Sequence, residues 1–286
     1  KPSSINVADY NNDGYLDIYV MRGGWLSNEG EMINTLLRNN KDMTFTDVTE
    51  ESGLSNYAYP SQSSAWGDYD NDGDLDLFSC NESEPDENQM IKYPSQLLAN
   101  ENKNFIDVSL ILHPQNNRYC KSADWGDYDN DGDLDLFVSN YSGANRLYKN
   151  LGNNKLVDVA SELEVTEPYF SFTSWFWDYD NDGDLDIFLP IFDQTNIGYL
   201  FGGEKDPCSG CTQMIPFTAL INDGTGNFIA NHNFPKFDWL EVDYDNHGNN
   251  IDRLWPTTAT IGDFDNDGYG DVAFGWFNPR ISSLYG

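Results

Sequence analysis

Histidine and cysteine are scarce in this chain of 286 residues, at three and four. The histidines are scattered, so a zinc site on Cys208 and Cys211 would want two ligands that are not nearby. A redox CxxC opens a helix after a strand, and nothing helical follows this CSGC in its Gly/Pro-rich surroundings. The pair reads instead as a small disulfide loop. A bridge between Cys80 and Cys120 is a second candidate. Positive charge is scarce too: 15 Lys and Arg face 48 Asp and Glu, a net charge of −33. That balance argues against nucleic acid or an anionic membrane surface as partner. No apolar run approaches the length of a membrane-spanning helix, and there is no secretory leader. Residue 1 already lies in a repeat, so a targeting segment is expected outside this sequence. GxSxG, HExxH and phosphate-loop motifs are all missing. A carboxylate pair for glycoside chemistry carries no signal among 48 acids, where such pairs arise by chance. The chain is read as non-catalytic. Aromatic residues, at 15%, and hydrophobic residues, at 39%, suffice for a large core.

What is present is one nonapeptide, DYDNDGDLD, at Asp68–Asp76, Asp127–Asp135 and Asp178–Asp186. Looser copies stand at Asp9–Asp17 (DYNNDGYLD) and Asp263–Asp271 (DFDNDGYGD), and a damaged one at Asp243–Asp252. Side chains at places one, three and five of a tight loop converge. The glycine at place six permits the sharp turn, place seven offers its carbonyl, and the carboxylate at place nine closes the shell. The predicted ligand sets are Asp68, Asp70, Asp72, Asp74 and Asp76; Asp127, Asp129, Asp131, Asp133 and Asp135; and Asp178, Asp180, Asp182, Asp184 and Asp186. The looser copies supply Asp9, Asn11, Asp13, Tyr15 and Asp17, and Asp263, Asp265, Asp267, Tyr269 and Asp271. Five such all-oxygen shells suit Ca²⁺, and about five ions are expected. In the damaged copy His247 replaces the fifth-place carboxylate and Asp252 comes one residue late, so that loop is expected to be empty or weak. The five loops hold 22 of the 48 acidic residues, so the acidity is site-specific. An EF-hand is excluded, because each loop runs straight into a strand such as LDLF or LDIF.

The first Asp of each loop falls at 9, 68, 127, 178 and 263, giving steps of 59, 59, 51 and 85. Repeats of this size made of short strands predict an all-β fold, a β-propeller of four-stranded blades. The first strand enters the loop through Val7, Trp66, Trp125, Phe176 or Ile261. The next residue is small in four cases of five: Ala8, Gly67, Gly126 and Gly262, with Trp177 the exception. The second strand leaves the loop. The third centres on Leu36–Leu37, Leu97–Leu98, Leu147–Tyr148, Leu220–Ile221 and Leu284–Tyr285. The fourth reads FTDV, FIDV, LVDV and FIAN. The predicted blades are about 1–56, 57–116, 117–167, 168–234 and 256–286, the last incomplete, with insertions at 193–215 and 235–256. All belong to one domain, 1–286.

SAWGDYDNDGDLDLF, followed by a Leu-Leu/Tyr strand, an Asn/Gly turn and FxDV, resembles the FG-GAP/VCBS repeats of the integrin alpha-chain propeller. The closing NPRISSLYG is similar to the ASPIC/UnbV and cartilage-acidic-protein branch. The resemblance covers nearly the whole chain apart from the insertions. It implies a seven-bladed propeller, of which five blades are visible, and an extracellular, secreted or surface scaffold for adhesion or ligand binding. A protein or glycan is the implied partner. Two other roles fit the sequence: a self-assembling subunit of a surface layer or fibre, and an accessory or catalytic module of a polysaccharide-degrading enzyme. Trp25, Trp239, Trp255 and Trp276, in or beside links, read first as loop residues packed under the rim and second as candidates for stacking on sugars. Asn81 and Asn140 begin N-x-S triplets, each 13 residues after its loop's first Asp, and are read as glycan acceptors at equivalent places on adjacent blades.

Overall fold

A computed structural model describes residues 2–83, 92–167, 171–190, 217–231, 255–262 and 271–277. The first sheet runs β1 (Pro2–Ala8), β2 (Asp17–Arg22), β3 (Thr35–Asn39), β4 (Phe45–Asp47). The second runs β5 (Ser61–Gly67), β6 (Asp76–Asn81), β7 (Gln96–Glu101), β8 (Asn104–Asp107). A short strand, β9 (Leu112–His113), follows. The third sheet contains β10 (Tyr119–Gly126), β11 (Asp135–Ser142), β12 (Arg146–Asn150) and β13 (Leu156–Asp158). The fourth contains β14 (Trp175–Trp177), β15 (Asp186–Pro190), β16 (Phe217–Asn222) and β17 (Phe228–Asn231). β18 (Trp255–Gly262) pairs with β19 (Asp271–Phe277). Successive strands in each sheet are antiparallel neighbours, so every sheet is a meander. Among the described strands only β9 pairs in parallel, laying the link from the second sheet along the outer edge of β13, whose backbone groups would otherwise face solvent.

The core is divided into three clusters, each enclosed by two successive sheets. Tyr10, Tyr19, Met21 and Leu36 meet Leu77, Leu98 and Phe105. Phe78, Cys80, Leu97 and Ala99 meet Leu136, Val138 and Tyr148. Phe137 and Leu147 meet Ile187, Leu189 and Leu220. Alternate residues of one strand therefore serve different cores: Leu77 points back and Phe78 forward, Leu136 back and Phe137 forward. This explains why LDLF and LDIF are apolar on both faces, whereas β2, on the outermost described sheet, alternates buried and half-buried residues. The free face of that first sheet carries the exposed Ile5 and Val7.

The second sheet interlocks with the third, and the third with the fourth, through the glycine just before the loop. A Cβ built on Gly67 would stand 2.7 Å from the ring of Trp125, and one on Gly126 would stand 2.6 Å from that of Phe176. The large residue of one sheet thus occupies the space left by glycine in the sheet before it. Cys80 in β6 and Cys120 in β10 form a disulfide between the second and third sheets, with Cα atoms 5.3 Å apart. On the face away from the loops, Trp25 leaves the first sheet and stacks on Phe172 at 5.7 Å, with Tyr141 at 6.3 Å. These rings, with Tyr119, surround the Lys121 ammonium, 3.3 Å from the centre of Trp25. Lys121 is paired with Glu82, both side chains fully buried. Trp25 is 47% exposed, and its ring is engaged by the chain itself as one wall of a cation cage, which fits the reading of a packed loop aromatic. Trp239 and the side chains of Trp255 and Trp276 lie outside the described residues, as do Cys208, Cys211, the damaged loop and most of both insertions.

Two expectations are corrected. β16 pairs Ile187 with Leu220, as β6 pairs Leu77 with Leu98. The equivalent of Leu97–Leu98 is therefore Ala219–Leu220, one residue earlier than the Leu-Ile pattern suggests, because register follows the partner strand. Asn81 and Asn140 do sit at equivalent places, opposite Ser61 and Cys120, but neither can accept a glycan. Both are fully buried. The Asn81 amide donates to the carbonyl of Pro94 at 2.9 Å, and that of Asn140 to the carbonyl of Ala144 at 2.9 Å. A sugar at either nitrogen would break that bond and find no space.

Candidate metal centres

Each of the four described loops begins as its strand ends, and its backbone wraps around the first aspartate. The N–H groups of Asp72 and Gly73 donate to the two oxygens of Asp68, 3.0 Å each. Asp127 receives Asp131 and Gly132 at 3.0 and 2.9 Å, Asp178 receives Asp182 and Gly183 at 3.1 Å each, and Asp9 receives Asp13 and Gly14 at 2.9 and 2.7 Å. The turn needs two features. Asn at place four takes a left-handed φ of 56–57° (Asn12, Asn71, Asn130, Asn181), and Gly at place six lies at φ 85–97°. Asn tolerates the left-handed region better than other residues with a side chain, and glycine has no Cβ to clash.

The ninth-place aspartate is the deepest ligand. Asp76 accepts the N–H of Tyr69 at 3.2 Å and that of Asn100 at 2.8 Å. Asp135 and Asp186 repeat the arrangement with Tyr128 and Asn150, and with Tyr179 and Asn222. Burial, joined by the charges of Asp70 and Asp72, pushes Asp76 up to about 7 despite those two donors. Asp135 is likewise pushed up to about 7 and Asp186 to about 6, burial being the largest cause in each. A cation held against these carboxylates would favour their charged form.

The ligand oxygens converge. One oxygen each from Asp68, Asp70 and Asp76 lie within 4.8 Å of one another, as do those of Asp127, Asp129 and Asp135, and of Asp178, Asp180 and Asp182. Asp129 presents a buried oxygen, Oδ1, with no hydrogen-bond partner. A buried acceptor without a partner is costly, and a hard cation is the partner its setting fits. The first loop differs, because Asn11 fills the third place and its amide donates to Asp17 Oδ2 at 3.0 Å. Asp74, Asp133, Asp184 and Tyr15 stand at the carbonyl place. Asp263, Asp265, Asp267 and Tyr269 lie outside the described residues, as does the side chain of Asp271.

Two sets of residues hold the loops to one another, and both are missed by reading the loops alone. The first is an asparagine at, or one residue before, the end of the third strand. The Asn100 amide donates to the carbonyls of Leu75 in its own loop and Tyr10 in the preceding one, at 3.1 and 2.9 Å. Asn150 does so to Leu134 and Tyr69, and Asn222 to Leu185 and Tyr128. The only sequence signal was an Asn two residues after Leu37, Leu98, Tyr148 and Leu220. The second is the place-four asparagine, which clasps the seventh-place carboxylate of the next loop. Asn12 bonds Asp74 at 2.9 Å, Asn71 bonds Asp133 at 2.8 Å and Asn130 bonds Asp184 at 2.7 Å. Two lysines also touch ligand carboxylates. Lys41 lies 3.3 Å from Asp13, and Lys149 bonds Asp129 and lies 3.3 Å from Asp131.

Compared with known families, the chain matches the FG-GAP-like repeat over residues 9–79 and 127–189. No curated protein matches it. The matched stretches begin at the first Asp of a loop and span the loop-and-strand unit described above.

Proposed function

Taking a chain that carries FG-GAP-like repeats as the premise, we propose that it is an extracellular, non-catalytic β-propeller. In this reading about five Ca²⁺ rigidify a scaffold for adhesion or ligand binding. The observation that carries it is the repeated convergence of three carboxylate oxygens, with a buried Asp129 oxygen that has no other partner. The Cys80–Cys120 disulfide supports an oxidising compartment, since structural disulfides are rare in reducing ones. A protein or glycan is the partner we favour, contacted by loops away from the metal. The ions would do structural work. Tyr10, Tyr69 and Tyr128 carbonyls are bonded from the next sheet, so a loop fixed by metal fixes the junction between sheets.

The test is metal content and melting. Protein dialysed against calcium and then freed of unbound ion should hold about five Ca²⁺ per chain. At tenfold excess over the dissociation constant, each site contributes roughly 1.4 kcal/mol, and five together about 7 kcal/mol. A whole domain is stable by only about 5–15 kcal/mol, so chelation should lower the melting temperature by many degrees. Identical melting curves in calcium and in chelator would refute the reading.

A further inference from the structure

The second, third and fourth loops are identical over nine residues, so any difference between them must come from outside the loop. The residue before this third-strand asparagine supplies one: it is Arg38, Ala99, Lys149 or Ile221 in the four sheets. The Lys149 ammonium bonds Oδ2 of Asp129 and lies 3.3 Å from Oδ2 of Asp131. Oδ1 of Asp129 remains buried and without a partner. One carboxylate thus has a lysine on one oxygen, while its other oxygen is buried and without a hydrogen-bond partner. In the second loop Ala99 brings no charge, and Glu101, two residues on, adds negative charge felt at Asp70 after burial and its neighbours Asp72 and Asp68. The first loop has fewer carboxylates, and Lys41 lies 3.3 Å from Asp13, over the Tyr15 ring. Arg38 is turned away to Glu51 at 3.5 Å. Among the described residues no ion pair reaches the carboxylates of the second or fourth loop.

We propose that Lys149 and Lys41 are built-in counter-charges that make the third and first loops weaker calcium sites than the second, so that the loops fill in a fixed order. The inference rests on the calcium reading above. Loop affinity for Ca²⁺ follows ligand charge and site rigidity. A fixed positive charge about 6 Å from a divalent ion weakens binding about tenfold even at the dielectric constant of water. The same charge relieves repulsion in the metal-free loop, so the third loop stays intact when calcium is low. The second loop, with no cation and an extra glutamate, holds its ion longest.

Calcium titration of the full chain by calorimetry, with melting in chelator, tests this in two variants. Lys149→Met keeps the aliphatic stem and removes the charge. It should raise affinity at one site about tenfold, while lowering the melting temperature in chelator. Ala99→Lys places an ammonium beside the second loop and should do the reverse: one tight site weakens about tenfold and the chelated protein melts higher. Raising the salt concentration should shrink both shifts. Calcium uptake with affinities unchanged in both variants would overturn the inference alone, making Lys149 a structural prop. A wild-type chain that takes up no calcium would overturn the calcium reading, and this inference with it.

Discussion

The calcium-free protein should lose stability as pH rises from 5 to 7.5, the opposite of ordinary acid denaturation. Asp76 and Asp135 are pushed up to about 7, Asp186 and Asp124 to about 6, each chiefly by burial, from an ordinary value of 3.8. A carboxyl whose folded value exceeds its unfolded value binds more protons when folded. Stability therefore falls with pH between the two values, here from about 4 to about 7. A tenfold difference in proton affinity between the folded and unfolded chain is worth about 1.4 kcal/mol. Discounted for solvent and for coupling between neighbours, the four groups together make a loss of several kcal/mol, on the order of half a domain's stability. Asp42, Asp47 and Asp223 do not mask this. Hydrogen bonds from Thr44, Thr49 and Thr225 hold them below the ordinary value, so their contribution is lost only at still lower pH. The assay is thermal melting of metal-stripped protein at half-unit intervals of pH, with and without about 1 M salt. Salt at that level shortens the Debye length to about 3 Å. It would abolish a slope caused by the overall charge of −33 but not one caused by local burial. With excess calcium the slope should reverse, because protons then compete with the ion. A metal-free melting temperature that is flat or rising over this range in high salt would refute the reasoning.

Other outcomes follow from the contacts between sheets. Gly126→Ala should cost about 1–3 kcal/mol in urea unfolding, because the new methyl meets the Phe176 ring at 2.6 Å. Asn150→Ala should cost about 2–4 kcal/mol, since it orphans the buried carbonyl of Tyr69 and the half-buried one of Leu134. Asn71→Ala, which removes an exposed clasp to Asp133, should cost under about 1 kcal/mol. Reduction of Cys80–Cys120, or Cys120→Ala, should lower stability by about 2–4 kcal/mol. A reducing agent that leaves the melting temperature in place would refute that last expectation.

The loops were legible because everything a loop needs lies within nine residues: the capping aspartate, the left-handed asparagine and the glycine are all local. The four-strand units were legible for the same reason, as alternation and turn residues are local too. What binds one unit to the next was not. Asn100 reaches a carbonyl 90 residues away and Asn150 one 81 away, and no pattern within a unit marks such a partner. Lys149 carries no signal either, since a lysine after a Leu-Tyr pair reads as an ordinary solvated strand residue. The N-x-S triplets misled for a related reason. The triplet is a local pattern, whereas access to its nitrogen depends on Pro94 and Ala144 across the turn. Leu220 misled because a Leu-Ile pair resembles a Leu-Leu pair, while its register is set by Ile187.

The fit of Trp125 over Gly67, and of Phe176 over Gly126, gives the assembly a direction. The third unit carries both halves of such a joint: a plug on its entering strand, Trp125, and one residue later a socket, Gly126, for the plug of the unit that follows. A unit so built should be removable between the two glycines, with the Phe176 ring then meeting Gly67 in place of Trp125. The joint travels with the part, so the number of units can change without any interface being reinvented. Trp177 occupies the socket place of the fourth unit. The joint after it is keyed differently, and a chimera that puts the third unit directly after the fourth should fail where one that repeats the second should fold.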